Sequence, residues 1–512
     1  MRRTLPLVSV TYDVLVIGGG IYGLTIAADA AQRGLSVALV ERNDFGSGAS
    51  FNHLRTIHGG LRYLQTLDIS RALESIEERR TLARIAQQYL RPQAFVLPLT
   101  SAFIKGPMMM RAGLLLDAVV ASGRNVDVPE PLRLPAGHVL SADEARRRFP
   151  ALGESATHGA AVWHDYVTTE ADRLTLAWGL AAARAGATLS NYADATSLRV
   201  DGSRVIGARV VDRLSTASTE VAARVVVNAT GADIDRLLTP RQLQTRTPML
   251  KAMNLVTRLR AGDAAVGGLT ASGRALFMVP WRGRALFGTW ESSALSSADH
   301  VGPSPREVAS FLEEIRRAFP AMTIDRDDLT LVHCGVVPAI VSAQGAVSLQ
   351  GRQQVRDHAT GANAVDGLIS VAGTKYTTAR IVAEQITNRV IAKLGRSAVP
   401  SRTRVAPLPP AEPWLELQRE QPALAEPVTD TSPVTVAQIV WAVRHEMAMT
   451  LADVVLRRSP LGALGHPGQS ALERVATVVA NEAGWDMTRV TAEIRAVEDF
   501  FSAYAALDRA SA

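Results

Sequence analysis

Short apolar runs and glycine turns alternate near the start of the chain. Residues 12–17 are largely apolar and end at three consecutive glycines, and residues 24–32 are rich in alanine. Residues 36–41 form a second apolar run that ends in an acid. Because strands show as short apolar runs and an alanine-rich stretch before a glycine favours a helix, this order predicts a β-α-β unit.

The pattern changes several times further along the chain. Residues 68–90 carry apolar positions at helical spacing, which predicts a long amphipathic helix. Residues 187–229 read as strands with a turn at Asp201, residues 275–288 as a hairpin, and residues 305–319 as a helix with proline in its first turn. The mixture predicts an α/β fold.

Proline marks the boundary of a C-terminal part. Residues 400–433 hold eight of the 25 prolines, which predicts a linker or a segment that wraps over the surface. From residue 434 the chain reads as helices joined by glycine and proline turns. We therefore expect an all-helical domain after this segment.

Composition excludes several classes of protein. Hydrophobic residues make up 47% and charged residues 20%, which is typical of a globular chain. The formal charge of +6 is diffuse, so it argues against nucleic acid but allows an anionic substrate or membrane surface. With Cys334 as the single cysteine, a disulfide framework and a multi-cysteine zinc site are excluded within one chain, and we expect Cys334 to be buried. No metal site is predicted.

Glycines 18, 20 and 23 fit the G-x-G-x-x-G pattern of a dinucleotide-binding turn. Gly18 permits the tight turn, Gly20 lets the backbone approach a pyrophosphate, and Gly23 allows close packing of helix on strand. Glu41, at the end of the second strand, can accept hydrogen bonds from ribose hydroxyls. The acid disfavours a 2′-phosphate, and the motif leaves both FAD and NAD open.

Two further segments favour FAD. Residues 41–50 continue the site and include several small residues. Within this segment we expect Arg42, Ser47, Gly48 and Ser50 to lie against the diphosphate. Residues 367–380 repeat the order of strand, glycine and helix, and predict a helix N-terminus at residues 374–378 that points at a flavin ring.

Several motifs together resemble the FAD-dependent glycerol-3-phosphate dehydrogenases, within the wider D-amino-acid-oxidase-like flavoproteins. They are I-H-G-G-L-R-Y-L at 57–64, N-A-T-G at 228–231, V-P-W-R-G-R at 279–284 and G-T-K-Y-T-T at 373–378. The C-terminal segments at 443–448, 450–453 and 484–486 resemble the family's helical cap. The resemblance runs from about residue 12 to residue 501.

This resemblance implies a Rossmann-like FAD-binding domain with an inserted α+β substrate domain. The expected boundaries are 1–92, 154–233 and 330–395 for the FAD-binding domain, 93–153 and 234–329 for the substrate domain, 396–433 for the linker, and 434–512 for the helical domain. It also implies oxidation of sn-glycerol 3-phosphate, quinone as acceptor, and peripheral contact with the inner face of the cytoplasmic membrane in a cytoplasmic protein. The absence of about 18 consecutive apolar residues predicts no membrane-spanning helix. Oligomeric state, a homodimer included, stays open.

The resemblance also assigns residues. Arg62 and Tyr63 match the substrate-side pair, Lys375 the lysine at the flavin edge, and Arg352 a phosphate arginine that here follows Gly351 where the family has serine. His58 matches a histidine that supports the flavin, and we group it with Arg62 and Lys375 as catalytic. The remaining flavin contacts carried over from these motifs are Gly60, Leu61, Gly231, Gly373, Thr374, Tyr376 and Thr377.

Two positions depart from the family pattern. Asn254 stands where the family has histidine, and an amide cannot act as a base near neutral pH. Val337 stands where the family has an arginine that binds phosphate, and losing that contact is expected to cost about 1.5–3 kcal/mol. His333, Arg356 and His358 are candidates to compensate, although a structural role is expected for a lone histidine.

These departures keep three hypotheses open. The first is a glycerol-3-phosphate dehydrogenase with a rearranged phosphate site that includes Asn254 among the substrate ligands. The second is a relative that oxidises a modified or tethered glycerol phosphate, or another hydroxy acid. The third is a flavin-binding protein with impaired catalysis.

Overall fold

The computed structural model describes residues 1, 3, 10–61, 63, 68–102, 106–243, 245, 247–299, 302–360, 363–430 and 432–504, with the side chains of residues 154 and 241 excepted. Within these residues the chain forms two large sheets, helices on their faces, and a helical C-terminal part.

The strands, in chain order, are β1 (Tyr12–Ile17), β2 (Val37–Val40), β3 (Thr56–Ile57), β4 (Leu90–Pro98), β5 (His138–Leu140), β6 (Ala160–Thr168), β7 (Thr188–Ser190), β8 (Ala193–Asp201), β9 (Arg204–Asp212), β10 (Ser218–Asn228), β11 (Met249–Thr257), β12 (Ala265–Leu269), β13 (Ala275–Trp281), β14 (Arg284–Leu295), β15 (Leu329–Val341), β16 (Val347–Leu349), β17 (Gln354–Asp357) and β18 (Leu368–Ala372).

The helices, in chain order, are α1 (Ile21–Gln32), α2 (Ile69–Ile85), α3 (Pro107–Val120), α4 (Ala142–Arg148), α5 (Ala171–Arg184), α6 (Pro305–Ala318), α7 (Ala379–Lys393), α8 (Trp414–Glu420), α9 (Val436–His445), α10 (Leu451–Asp453), α11 (Gln469–Ala483) and α12 (Met487–Tyr504). A π-helical turn, Val454–Arg458, follows α10 directly.

The first sheet has the order β17-β18-β10-β1-β2-β7, and its central strands are parallel. Every residue of β1, β2 and β18 is buried, which explains why these strands read as continuous apolar runs. Helices α1, α5 and α7 cover the sheet through Leu24, Trp178 and Val382. The β-α-β unit predicted from the pattern is therefore confirmed at its expected place.

The second sheet has the order β16-β15-β11-β14-β13-β12-β4-β6-β3 and is antiparallel except where β12 pairs with β4. The predicted hairpin is formed by β13 and β14, with Phe277 opposite Gly288. Helix α6 packs on this sheet through Val308, Phe311 and Ile315, and begins with a capping box between Ser304 and Glu307. Cys334 is buried in this core as expected, and burial raises the pKa of its thiol to about 12.

The proline-rich stretch packs against the end of α2 and the residues that follow it. Leu408 N donates to Ile85 O at 2.8 Å, and Tyr89 Oη donates to Pro409 O at 2.7 Å. Of the two roles expected for the stretch, these contacts favour the wrapping segment. The C-terminal helices then pack around Ile439, Leu472 and Val497, in a core that they share with Trp281 and Leu331 of the second sheet.

The fold class predicted from the sequence, an α/β protein with a helical C-terminal part, is confirmed. The domain boundaries stay a prediction. Two strands that they place with the FAD-binding domain, β6 and β15, pair with β4 and β11 of the second sheet. Among the described residues, no helix is long and apolar enough to cross a membrane.

Candidate functional site

A cavity of about 870 Å³ lies between the two sheets. It begins at the carboxyl ends of β1, β2 and β10, where ligands of open parallel sheets bind. Its lining includes most residues predicted from the sequence as cofactor or substrate contacts: Gly18, Gly20, Glu41, Arg42, Ser47, Gly48, Ser50, His58, Gly60, Leu61, Tyr63, Gly231, Asn254, Gly373, Thr374, Lys375, Tyr376 and Thr377.

The glycine turn after β1 opens the first end of this cavity. Gly18 has φ +107°, a conformation that L side chains rarely adopt. Gly23 does not line the cavity, since it packs against the Gly18 carbonyl, where a Cβ would overlap. Helix α1 has no side-chain cap at Gly20, and Ser50 Oγ accepts from Ile21 N at 2.9 Å. The helix N-terminus therefore faces the cavity with partial positive charge, as binding of a diphosphate requires.

Glu41 lies at the end of β2, at the same end of the cavity. Its two oxygens accept from Gly19 N at 2.6 Å and from Asn43 N at 2.8 Å. Burial raises the pKa of the Glu41 carboxyl, and these two backbone donors oppose the effect. The geometry holds an acceptor at the strand end, where the ribose of a dinucleotide is expected.

Residues 373–377 line the opposite end. Thr374 Oγ1 donates to Gln350 O at 2.6 Å, and Tyr22 Oη donates to Lys375 O at 3.1 Å. The predicted helix N-terminus at residues 374–378 is confirmed only at its last residue, because Thr378 is the N-cap and α7 begins at Ala379. The preceding residues form a loop, since their polar groups bond to other segments instead of to a helical turn.

The loop that carries His58 is held by backbone hydrogen bonds to two other segments. Gly59 N donates to Asp165 Oδ1 at 2.8 Å, Arg79 forms an ion pair with the same carboxylate, and His58 N donates to Thr377 Oγ1 at 3.3 Å. The loop therefore bridges β6 and the segment before α7. This position suits a residue that supports a bound cofactor.

Tyr63 and Lys375 meet in the cavity wall. Lys375 Nζ lies 4.7 Å from the centre of the Tyr63 ring and donates to Ser75 Oγ. The guanidinium of Arg71, a residue that the sequence did not single out, lies 4.0 Å from the centre of the same ring. Two cations thus lie against one aromatic ring. Their combined positive charge attracts an anionic ligand. Arg62 lies outside the described residues.

Asn254 occupies the middle of β11 and is 1% exposed. Its Oδ1 accepts from Thr289 Oγ1 at 3.0 Å, and it faces Gly288 across the strand pair. A side chain at Gly288 would overlap Asn254, so the glycine leaves room for the amide. The amide lines the cavity and can hydrogen-bond a hydroxyl, but it cannot take a proton.

Val337 also lines the cavity, which confirms that an apolar side chain stands there. None of the three candidates for compensation does. His333 is buried between Phe51 and Trp281, with a pKa that burial keeps well below its ordinary value. His358 bonds to Ser370, burial lowers its pKa to about 4, and Arg356 is exposed on β17.

Arg352 lies outside the cavity lining. Its guanidinium is largely exposed and pairs with Asp68 at 2.7 Å. The hydrogen bond from Arg352 holds the pKa of the Asp68 carboxyl below its ordinary value. The role of Arg352 as a phosphate ligand stays a prediction.

The sequence reading missed an apolar part of the wall. The cavity wall beyond Tyr63 consists of Phe95, Met110, Trp163 and Phe277. The three aromatic rings among them pack edge-on or stacked on one another. Their alternation along β4, β6 and β13 was visible, but nothing in the pattern distinguished a cavity wall from a core. A polar pair, Arg274 and Glu291, was missed for the same reason.

The residues present fit FAD. The glycine turn, the uncapped helix and the Glu41 carboxylate suit its nucleotide half, and the loop at 373–377 with His58 suits a planar ring at the far end. The cavity is at the upper end of the usual size for cofactor sites.

Comparisons with known proteins agree with this site. Residues 13–389 match the family model described as FAD dependent oxidoreductase, and residues 412–490 match the C-terminal domain of alpha-glycerophosphate oxidase. A glycerol-3-phosphate dehydrogenase of Synechocystis sp. is 28% identical, with 98% of each chain covered, and one of Mycobacterium leprae is 29% identical, with 94% of this chain and 87% of that protein covered.

A solved structure has the same fold. The glycerol-3-phosphate dehydrogenase from Bacillus halodurans, complexed with FAD, superposes with a TM-score of 0.71 at 22% identity, covering 98% of this chain and 97% of that chain. Together with the match over residues 13–389, the geometry of the cavity leads to one conclusion: the chain belongs to the family of FAD-dependent oxidoreductases.

Proposed function

We propose that this flavoprotein oxidises sn-glycerol 3-phosphate to dihydroxyacetone phosphate and passes the electrons to quinone. The observation that carries the proposal is that one continuous cavity joins a dinucleotide-binding end to a wall with Lys375, Tyr63 and Asn254. Relatives named glycerol-3-phosphate dehydrogenase, similar over more than nine-tenths of the chain, support the choice of substrate.

The proposed reaction removes a hydride from the carbinol carbon and a proton from its hydroxyl. FAD, when bound, supplies the hydride acceptor. Asn254 orients the hydroxyl by hydrogen bonding, and Lys375 stabilises negative charge as the hydroxyl proton leaves. Because Asn254 and the guanidinium of Arg62 cannot accept that proton, we propose His58 as the base, with Lys375 and Arg62 acting as cations.

Peripheral membrane contact and a quinone acceptor fit one further feature. On α3, Met108, Leu115 and Val119 are exposed by 76%, 70% and 73%, while Met110 on the opposite side lines the cavity. Exposed Arg111 lies on the same side as the three exposed apolar residues. An apolar face with a basic residue suits the surface of an anionic membrane, and we propose that the protein works at the inner face of the cytoplasmic membrane.

A second candidate is oxidation of a modified or tethered glycerol phosphate. The apolar wall of Phe95, Met110, Trp163 and Phe277 offers more hydrophobic surface than an unsubstituted glycerol phosphate can cover. Val337, where the resemblance places an arginine, adds to this surface.

Anaerobic titration of the FAD-loaded protein tests both candidates. We expect sn-glycerol 3-phosphate at millimolar concentration to bleach the flavin absorbance near ~450 nm, with dihydroxyacetone phosphate formed in equal amount. A Lys375→Met variant should bind FAD and reduce it at least about 100-fold more slowly, because it loses electrostatic stabilisation. Bleaching only by glycerol phosphates with an apolar substituent would select the second candidate, and no bleaching by any alcohol would refute both.

A further inference from the structure

We propose that Arg71 is the phosphate-binding residue that replaces the arginine missing at Val337. The inference rests on the proposed function, since it names the group that would recognise the phosphate ester of its substrate. The ligand chemistry is a phosphate monoester dianion.

Arg71 lies in the first turn of α2, and although it is not itself a lining residue of the cavity, its guanidinium packs directly against two residues that are. The guanidinium carbon stands 4.0 Å from the centre of the Tyr63 ring, and Nη2 donates to Gly351 O. Tyr63 and Gly351 both line the cavity. The guanidinium therefore lies directly behind the wall, in contact with the Tyr63 ring and the Gly351 carbonyl.

The register of the second sheet brings the residue bonded by this guanidinium close to the strand that carries Val337. Ala339 is opposite Leu349 in the β15–β16 pair, and Gln350 N donates to Pro338 O at 2.9 Å. Continued beyond β16, this register would set Gly351 opposite Val337. Arg71 therefore brings a guanidinium from α2 to the segment that lies across from Val337.

Gly351 makes this arrangement sterically feasible. A Cβ at residue 351 would overlap the end of the Arg71 side chain, whereas no backbone atom is among its near neighbours. By resemblance the family has serine at this position. The exchange of serine for glycine and the loss of the arginine at 337 are thus two parts of one rearrangement, in which Arg71 takes the space.

The charges around the cavity single out Arg71. Arg42 pairs with Asp233, Arg236 with Asp194 and Arg274 with Glu314, each at 2.7–2.8 Å. Among the described residues no carboxylate lies within ion-pairing distance of Arg71, and Asp68 at the start of its helix pairs with Arg352 instead. With Lys375 on the same ring, an anion would find two cations and a planar donor suited to bidentate contact.

The test compares FAD-loaded wild type with Arg71→Gln, Arg71→Lys, Gly351→Ser and the double variant Arg71→Gln/Val337→Arg. Arg317→Gln serves as control, because Arg317 is an exposed arginine on α6 that pairs with Glu313. Two quantities are measured: KM and kcat for sn-glycerol 3-phosphate, and the Kd of inorganic phosphate from its perturbation of the flavin spectrum.

We expect Arg71→Gln to raise both KM and the phosphate Kd by about 10- to 100-fold, the loss typical of a charge-assisted contact, with kcat changed far less. Gly351→Ser should act in the same direction, because the new side chain displaces Arg71. Arg71→Lys should recover part of the affinity, the double variant most of it, and the control should match wild type.

The outcomes separate this inference from the proposed function. Wild-type values of KM and phosphate Kd in Arg71→Gln and Gly351→Ser would overturn the inference, and raised values in an Arg352→Gln variant measured alongside would then assign the phosphate to Arg352. If sn-glycerol 3-phosphate fails to reduce the wild-type flavin but Arg71→Gln still weakens phosphate binding, the proposed function fails and the phosphate site stands.

Discussion

Single residues decide how closely the backbone can approach the cofactor. The glycine pattern of residues 18–23 was readable from the sequence because each glycine answers a steric demand of the same local turn. Asn254 and Val337 were also readable as departures, but their consequence was not. Whether a replaced side chain leaves a gap depends on what other elements place beside it.

Gly23→Ala is expected to weaken FAD binding. A Cβ at residue 23 would overlap the carbonyl of Gly18, and that backbone is already held in the turn at φ +107°. We expect the flavin Kd to rise at least about 10-fold, since the added methyl group pushes α1 away from β1 and shifts the turn that approaches the pyrophosphate. The ratio of flavin to protein absorbance after gel filtration measures it.

Gly113→Ala is the matched control for this variant. Gly113 lies within α3 and has free space around its Cα. An added methyl should leave FAD binding intact. Full flavin occupancy in Gly23→Ala would show that the turn does not hold the cofactor in the way described.

At the scale of elements, a buried ion cluster joins the helical C-terminal part to the nucleotide-binding part. Asp44, in the loop after β2, accepts from Arg458 at 2.7 and 2.8 Å and from Arg457 at 2.6 Å. Burial acts to raise the pKa of the Asp44 carboxyl, but the two arginines outweigh it and lower the value to about 2. The cluster positions the loop whose next residues line the cavity.

Asp44→Asn should destabilise the protein strongly, because it leaves two buried arginines without their shared carboxylate. The expected loss is about 3–5 kcal/mol in the free energy of unfolding. Denaturant unfolding followed by tryptophan fluorescence measures it, and Asp499→Asn, an exposed residue on α12, is the control. A loss below about 1 kcal/mol would mean that the cluster contributes no more than a surface ion pair.

The same cluster sets a pH dependence. Because the folded pKa of Asp44 lies below the ordinary value of 3.8, its stabilisation is complete above pH 3.8 and is lost as pH falls toward about 2. The difference in stability between wild type and Asp44→Asn should therefore be constant near neutral pH and shrink in this acid range. Thermal unfolding of both proteins across about pH 2–6, a range that includes the folded and the ordinary pKa of Asp44, checks this prediction.

At the scale of the whole molecule, α3 connects the outer surface to the cavity. Leu115→Glu/Val119→Glu should weaken co-sedimentation with vesicles that contain anionic lipid at least about 10-fold, because two apolar side chains no longer enter the interface. Leu214→Glu, at an exposed apolar residue in a turn remote from α3 in sequence, is the control. Turnover with a soluble dye acceptor should stay unchanged in both, and equal sedimentation of all three proteins would refute membrane contact through α3.

The sequence by itself determined the parts whose physics is local. Alternating apolar runs and glycine turns specified the β-α-β unit, the hairpin of β13 and β14, and the start of α6, since strand burial, turn geometry and helix capping each depend on neighbouring residues. The cofactor class and family followed from motifs of this kind.

Only the tertiary structure decided how the substrate end of the cavity is built. Arg71 and Gly351 are 280 residues apart, and no local pattern relates them. The apolar wall draws on β4, β6, α3 and β13, and the sequence could not tell it from a core, because both bury one face of a strand. A binding site formed by side chains from distant elements becomes visible only when folding brings those elements together.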